Sequence, residues 1–363
     1  MKRLSIVLAL LLTACTQAPA SPPAPTAPAA AAKTPTEIYL YQGADRQQML
    51  EDGAKKEGKI TWYTSMIIDD RVRPLTEAFK KKYPFINVEA TFMDANPLVS
   101  RATEEANAKR YDLDIVESSF PGILGLKNAK LLAKWSSPNV DGIPSNVRDP
   151  DGYFVADREN PLGFVWNTNT VPESEGPKTF DDLLDPRWKG KLSTNNTSQA
   201  VQFFGAMLTI KGEDYVRKLA QQDHHVQSMA ANAVTQLVES GEVISTWPAS
   251  VGRVALGRSK GAPEAWSPFE QAPTALGYVA VTANAPHPYS TMLLVDFLLS
   301  KEGQDVMSTT GEGGTRTGTN NQYGGYKIQS FYVDFAVPQD QFDATFKKWD
   351  AEFRDLFLKG AGS

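Results

Sequence analysis

The sequence predicts an α/β fold organised on a parallel sheet, and three observations lead there. Strand-like and helix-like runs alternate from residue 59 to residue 116. The strand-like runs are short and rich in β-branched and aromatic residues. The runs between them carry apolar residues at helical spacing. The first strand is Lys59-Ile60-Thr61-Trp62-Tyr63-Thr64-Ser65, which ends in small hydroxyls. Residues 71–83 follow as a helix, with Val72, Leu75, Ala78 and Phe79 on one face and Pro84 as its stop. A second strand spans 86–92, a second helix 98–110, and a third, buried strand Leu113-Asp114-Ile115-Val116. In such sheets ligands meet the carboxyl ends of the strands, here Thr64-Ser65 and Glu117-Ser118-Ser119.

The middle of the chain has a different pattern. Tyr153–Ala156 and Leu162–Trp166 are extended runs separated by the polar Asp157-Arg158-Glu159-Asn160-Pro161. A short strand at 190–194 leads to Asn195-Asn196-Thr197-Ser198, which opens an apolar helix reaching Leu208. A helix at 226–240, a strand at 243–247 and a third extended run at 275–282 follow. Helices at 289–307 and 338–358 close the chain. The second carries Phe342, Phe346, Trp349, Phe353 and Phe357 on one face, a core-packing stripe. No internal repeat is present.

With 363 residues, 41% of them hydrophobic, the chain is long enough to bury a large core in one domain or two lobes. Its 37 Lys and Arg against 42 Asp and Glu argue against nucleic-acid partners, which need clustered cations. Cys15 is the only cysteine, so no disulfide framework exists. Three histidines (His224, His225, His287) give little scope for zinc chemistry, and the adjacent His224 and His225 read as a surface pair.

The first residues read as an address and a tether. Lys2 and Arg3 precede the nine-residue apolar run 4–12, an export-signal core too short to span a bilayer, which takes about 20 residues. Leu12-Thr13-Ala14-Cys15 resembles the bacterial lipobox, in which cleavage precedes a cysteine that is then acylated. The next 21 residues, 16–36, hold six prolines and eight alanines and form an extended leash. The expected product is a lipid-anchored protein on the periplasmic, extracytoplasmic side of a bacterial membrane, monomeric and without a resident cofactor. Catalytic signatures are lacking: there is no Walker loop, no G-x-S-x-G elbow and no H-E-x-x-H. The Gly-rich 311–318 stretch follows a helix, the reverse of a dinucleotide loop. The chain is therefore read as a non-enzyme.

Several segments together resemble bacterial extracellular solute-binding proteins of ABC transporters, in the ferric-binding-like branch. They are Glu57–Ser65, Pro74–Pro84, Tyr111–Val116, Pro161–Thr168, Phe180–Gly190, Ala285–Pro288 and Val295–Gln304. The resemblance implies a type II periplasmic-binding-protein fold: two α/β lobes joined by crossing hinge strands, closing on a solute and handing it to a permease. The implied division is a signal peptide at 1–14, Cys15 and tether at 15–36, lobe 1 at 37–156, lobe 2 at 157–274, and a return to lobe 1 at 275–363. In ferric-binding relatives two adjacent tyrosines after a Gly-Glu turn bind iron. Here the matching stretch, Gly241 to Ser250, has no tyrosine. A small organic anion or zwitterion is the expected ligand, with ferric iron held through Tyr63 and Glu117 as the alternative.

The candidate binding residues follow from this frame. Asn195, Asn196, Thr197 and Ser198, at a helix start, read as an anion seat or a helix cap. Thr64, Ser65 and Ser118 sit at strand ends as donors or turn formers. Arg158 reads as a bidentate clamp for an acid or as a surface ion pair. Trp247 stacks on the ligand or packs inside the second lobe, and Glu117 would meet a ligand ammonium.

Overall fold

The strands β1 (Lys59–Thr64), β2 (Asn87–Phe92) and β3 (Ile115–Ser119) form a parallel trio with β1 in the middle. The structure, a computed structural model, describes residues 33–358; Cys15, the lipobox and the tether up to Ala32 lie outside the described residues. Around the trio pack α1 (Pro35–Tyr39), α2 (Arg46–Glu57), α3 (Arg73–Lys82), α4 (Ala95–Asn107) and α5 (Phe120–Asn128). Helix α3 has Pro74 in its first turn, where a missing N–H costs nothing, and buries Leu75 and Phe79.

The next strand departs most from the sequence expectation. The extended runs on either side of Asp157–Pro161 are one strand, β4 (Phe154–Asn167), with all 14 residues buried. Beyond it come β5 (Ser193–Asn195), α6 (Ser198–Lys211), α7 (Glu213–Ala220), β6 (His225–Gln227), α8 (Ala231–Ser240), β7 (Ser245–Ser250), α9 (Val251–Ser259), β8 (Glu264–Ser267) and β9 (Ala272–Val281). The first half of β4 pairs antiparallel with β9, which pairs antiparallel with β3. Its second half pairs with β7 and β8. The sheet is therefore mixed, parallel through β1, β2 and β3 and again where a late strand joins β9, and β4 carries the chain from the first lobe into a second made of β5–β8 and α6–α9.

Smaller differences have local causes. The helix expected over 226–240 starts only at Ala231, because Val226 pairs with Thr194 across a two-stranded sheet. The helix expected over 289–307 is broken into α10 (Pro288–Leu299) and α11 (Lys301–Ser308). Ser300 caps α11 by accepting from the Gly303 N–H.

The chain then runs through β10 (Gly313–Gly314) on β4, β11 (Ser330–Tyr332) on β9, and α12 (Gln339–Phe353). The aromatic stripe of α12 and the turn after it touches both lobes. Phe342 meets Phe120 of α5 edge-on at 4.7 Å. Phe353 and Phe357 meet Phe204 of α6 at 5.7 and 6.0 Å, and Trp349 lies over Gly205 so closely that a Cβ there would come within 2.4 Å of the ring. Because Trp349 is only 6% exposed, Trp349→Ala is expected to cost about 3–5 kcal/mol of stability. Urea unfolding of the variant and its parent measures that loss.

Candidate functional site

Where the crossing strand meets the ends of β1 and β3, four of the sequence-predicted residues converge. Arg158 donates through Nε to Glu117 (2.8 Å), through Nη1 to Glu312 (2.9 Å) and through Nη2 to the Ser65 hydroxyl (3.0 Å). The other oxygen of Glu117 accepts from Thr64 Oγ1 at 2.7 Å and Ser65 Oγ at 3.2 Å. Burial alone lowers the Arg158 pKa, but Glu117 and Glu312 outweigh it and hold the guanidinium charged. The expected acid clamp and the expected ammonium partner thus neutralise each other inside the protein. Next to them, Asp157 sits at a register shift with neither carboxyl oxygen hydrogen-bonded. Burial and then Glu117 push its pKa well up.

Other predicted residues lie elsewhere. Tyr63 points to α4, where its hydroxyl donates to Glu105 (2.9 Å) and Arg101 covers its ring at 4.8 Å. Burial and that hydrogen bond push its pKa up to about 12, the wrong direction for a phenolate ligand. The Ser118 hydroxyl is on the opposite face from Glu117, beside Gly122 of α5, where a Cβ would lie 2.5 Å from it. Trp247 is fully buried, stacked on Phe203 at 5.6 Å and flanked by Phe357 at 5.5 Å; it packs the second lobe and does not face a ligand. His224 joins that core, edge-on to Phe357 at 4.9 Å, and burial lowers its pKa to about 3, so the histidines are not a surface pair.

At the start of α6, Asn195 is buried and its Oδ1 accepts from the Thr197 N–H at 3.1 Å, an Asx turn that leads into the helix. Its Nδ2 is buried without a partner. Asn196 and Ser198 are exposed, and Asn196 reaches Ser228 at 3.4 Å.

The hollow between the lobes is lined by residues that the sequence reading missed. A cavity of about 280 Å³ lies between Asp70 and Arg71 on the turn after β1, Asn232 in the first turn of α8, Gly252 and Arg253 at the start of α9, and Thr309–Gly311 after α11. It continues along Glu239 and Lys260. Arg71 is 7% exposed, with Nε 3.1 Å from Glu312, so the Arg158 network forms the wall behind it. Arg253 reaches Glu239 at 2.5 Å. Ser250, the N-cap of α9, donates its hydroxyl to Asn160 (2.6 Å), so the first amides of α9 have no side-chain cap. The lobes touch beside this cavity: a Cβ on Gly252 would come 2.2 Å from the Gly311 carbonyl oxygen. Arg71, in the turn after β1, and Arg253, in the first turn of α9, belong to no local pattern, and that is why the sequence did not reveal them.

With this hollow beside the crossing strand described, the comparison with known families decides the family. Residues 121–321 match the model of the family described as bacterial extracellular solute-binding protein. The chain belongs to that family. It is 23% identical over 225 residues to the Fe(3+)-binding periplasmic protein of Serratia marcescens, covering 58% of this chain and 65% of that one. It is 26% identical over 208 residues to a periplasmic protein of Salmonella typhimurium named for 2-aminoethylphosphonate binding, covering 54% and 60% respectively. This chain thus spans less than two thirds of either relative. A Trichodesmium protein solved with iron and citrate ligands superposes with a TM-score of 0.67 at 18% identity, over 82% of this chain and 99% of that one. This solute-binding protein therefore has the type II periplasmic-binding-protein fold.

Two outcomes follow for this solute-binding protein. Gly252→Ala removes the room in which α9 meets Gly311, so closure is hindered, and apparent solute affinity should fall about tenfold or more. Calorimetric titration of the variant measures this, with the thermal midpoint as the control for folding. Glu264 lies beside Glu239; burial and that carboxyl raise its pKa to about 8. The native state therefore binds more protons than the unfolded chain between the ordinary carboxyl range and pH 8, and stability falls as pH rises through that window. Glu264→Gln should flatten this decline and be more stable than the parent above pH 8, as read from thermal midpoints across pH.

Proposed function

We propose that this chain is the solute receptor of an ABC importer, a lipoprotein anchored through Cys15 that closes on a small organic anion or zwitterion and hands it to the permease. The observation that carries the reading is the cavity with a guanidinium from each lobe. Arg71 comes from the first lobe and Arg253 from the second, next to the uncapped start of α9. Two cations and free N–H groups are a seat for carboxylate, phosphonate or phosphate, and an anion between them draws the lobes together. The relative named for 2-aminoethylphosphonate supports an anionic or zwitterionic solute.

Ferric iron is the second reading, on the strength of the relative named for Fe(3+) binding. Iron requires anionic oxygen donors, whereas Tyr63 and Glu117 are committed to Glu105 and Arg158.

The test uses residues 33–363, which contain the compact unit that begins at Thr34. Thermal midpoints are read against phosphonates, sugar phosphates, carboxylates, amino acids and ferric citrate. A true solute at 100 times its dissociation constant adds about 2.7 kcal/mol, a shift of several degrees. Arg71→Ala and Arg253→Ala should each abolish most of that shift. A shift with ferric citrate alone, unaffected by either substitution, would select iron.

A further inference from the structure

The parallel trio gives the first lobe two unlike ends, and the end remote from the cleft carries an unexpected charge. Helices α2, α3 and α4 all finish at the edge where β1, β2 and β3 begin. In the three short stretches 55–59, 80–82 and 109–112 stand Lys55, Lys56, Lys59, Lys80, Lys81, Lys82, Lys109 and Arg110, with Glu57 and Asp112 among them. Asp52, Glu89 and Glu302 pair with Lys55, Lys59 and Lys82, so the excess rests on the other five cations. The chain as a whole has net charge −5, so this concentration runs against its composition. Glu57 is occupied by the first turn of α10, where it accepts from the Tyr289 and Ser290 N–H groups.

Lysine in a last helical turn also complements the helix dipole, and that accounts for some of these residues. It does not account for the rest of this face. All eight cations are exposed, and Lys56, Lys80, Lys81, Lys109 and Arg110 have no ion pair within 4 Å among the described residues. Lys109 takes a left-handed backbone conformation (φ 55°), which a lysine pays for in strain and a glycine would not. Large apolar side chains stand exposed at the same edge: Tyr111 is 45% exposed and Leu40 is 47% exposed.

The described chain also begins at this edge. Tyr39, at the end of α1, donates its hydroxyl to the Thr282 carbonyl (3.1 Å), and the Thr282 N–H bonds to Asp114 at the foot of β3. The end of α1 is thereby held at the basic end of the lobe.

We infer that this basic edge docks on an anionic phospholipid surface, with Tyr111 and Leu40 entering the interface between the lysines. A membrane supplies a partner for both features of this face: extended negative charge for the cations and an apolar layer beneath it for the exposed apolar side chains. Docked this way, the cleft at the opposite end of the strands faces away from the lipid and stays open to solute. The inference borrows only the presence of a membrane from the proposed lipoprotein role; the face itself needs no solute and no permease.

The experiment is vesicle co-sedimentation of residues 33–363, which lack the acylation site, so that binding reports the face alone. Vesicles of phosphatidylcholine are compared with vesicles containing phosphatidylglycerol, at low and high salt. Each basic side chain near an anionic surface multiplies partition about fivefold, so binding to the anionic vesicles should exceed that to the neutral ones by at least tenfold. It should vanish at high salt. The combined variant Lys80→Glu, Lys81→Glu, Lys109→Glu, Arg110→Glu should lose it at an unchanged thermal midpoint. The milder replacement of the same four by Gln should lose most of it. Lys347→Glu with Lys348→Glu, exposed on α12, should leave it intact. Equal partition to both vesicles, no partition to either, or equal loss in the α12 variant overturns the inference. Solute-induced thermal shifts are unaffected by either result, so the two readings fail separately.

Discussion

Four consecutive polar residues, Asp157 to Asn160, are buried in the middle of a strand that has to cross from one lobe to the other, and the rest of the molecule is arranged to satisfy them. Burial pushes the Asp157 pKa well up. Arg158 is held between Glu117 and Glu312. Glu159 accepts from Tyr332 (2.9 Å), from Asn321 (2.9 Å) and from Tyr323. Asn160 takes the Ser250 hydroxyl. A buried charge deprived of its partner costs about 3–5 kcal/mol, so these links are not optional. They tie together the ends of β1 and β3, the turn after α11, the start of α9 and the segment between β10 and β11, which lie far apart in sequence.

This arrangement also decides what the cleft can offer a solute. Arg158 and Glu117 are complementary, close and shielded from water, and each is worth more to the other than to a transient ligand. The proposed recognition falls instead to Arg71 and Arg253, which line the cavity with a carboxylate partner beside each guanidinium. In that reading α9 meets the opposite lobe at the glycine contact of Gly252 and Gly311.

Parallel strands polarise the first lobe. Their carboxyl ends gather loops, helix starts and hydroxyls at the cleft, while their amino ends gather the last turns of α2, α3 and α4, where lysine is favoured. The same topology that builds a solute site at one end thus concentrates cations at the other, next to the first described residues.

Much of this was legible in the sequence, and the reason is the range of the interactions. The β1–α3–β2–α4–β3 succession, the stop at Pro84 and the aromatic stripe of α12 depend on neighbours a few residues away, and periodicity records them. Family resemblance supplied the two lobes. The sequence also singled out Thr64, Ser65 and Glu117, because ligands meet the carboxyl ends of parallel strands, and Arg158, as a charge between two extended runs. Tertiary structure alone decided what they do. Whether Asp157–Pro161 is a polar link or the buried centre of β4 depends on Glu117, Glu312 and Tyr332, 40 to 173 residues away in sequence. Whether Trp247 meets a solute or packs with Phe203, Phe353 and Phe357 depends on α6 and the end of α12. Arg71 and Arg253 gain meaning only when two lobes bring them to one cavity. A local pattern carries hydrophobic period and capping; it does not carry the identity of a distant partner, and a buried charge is defined by its partner.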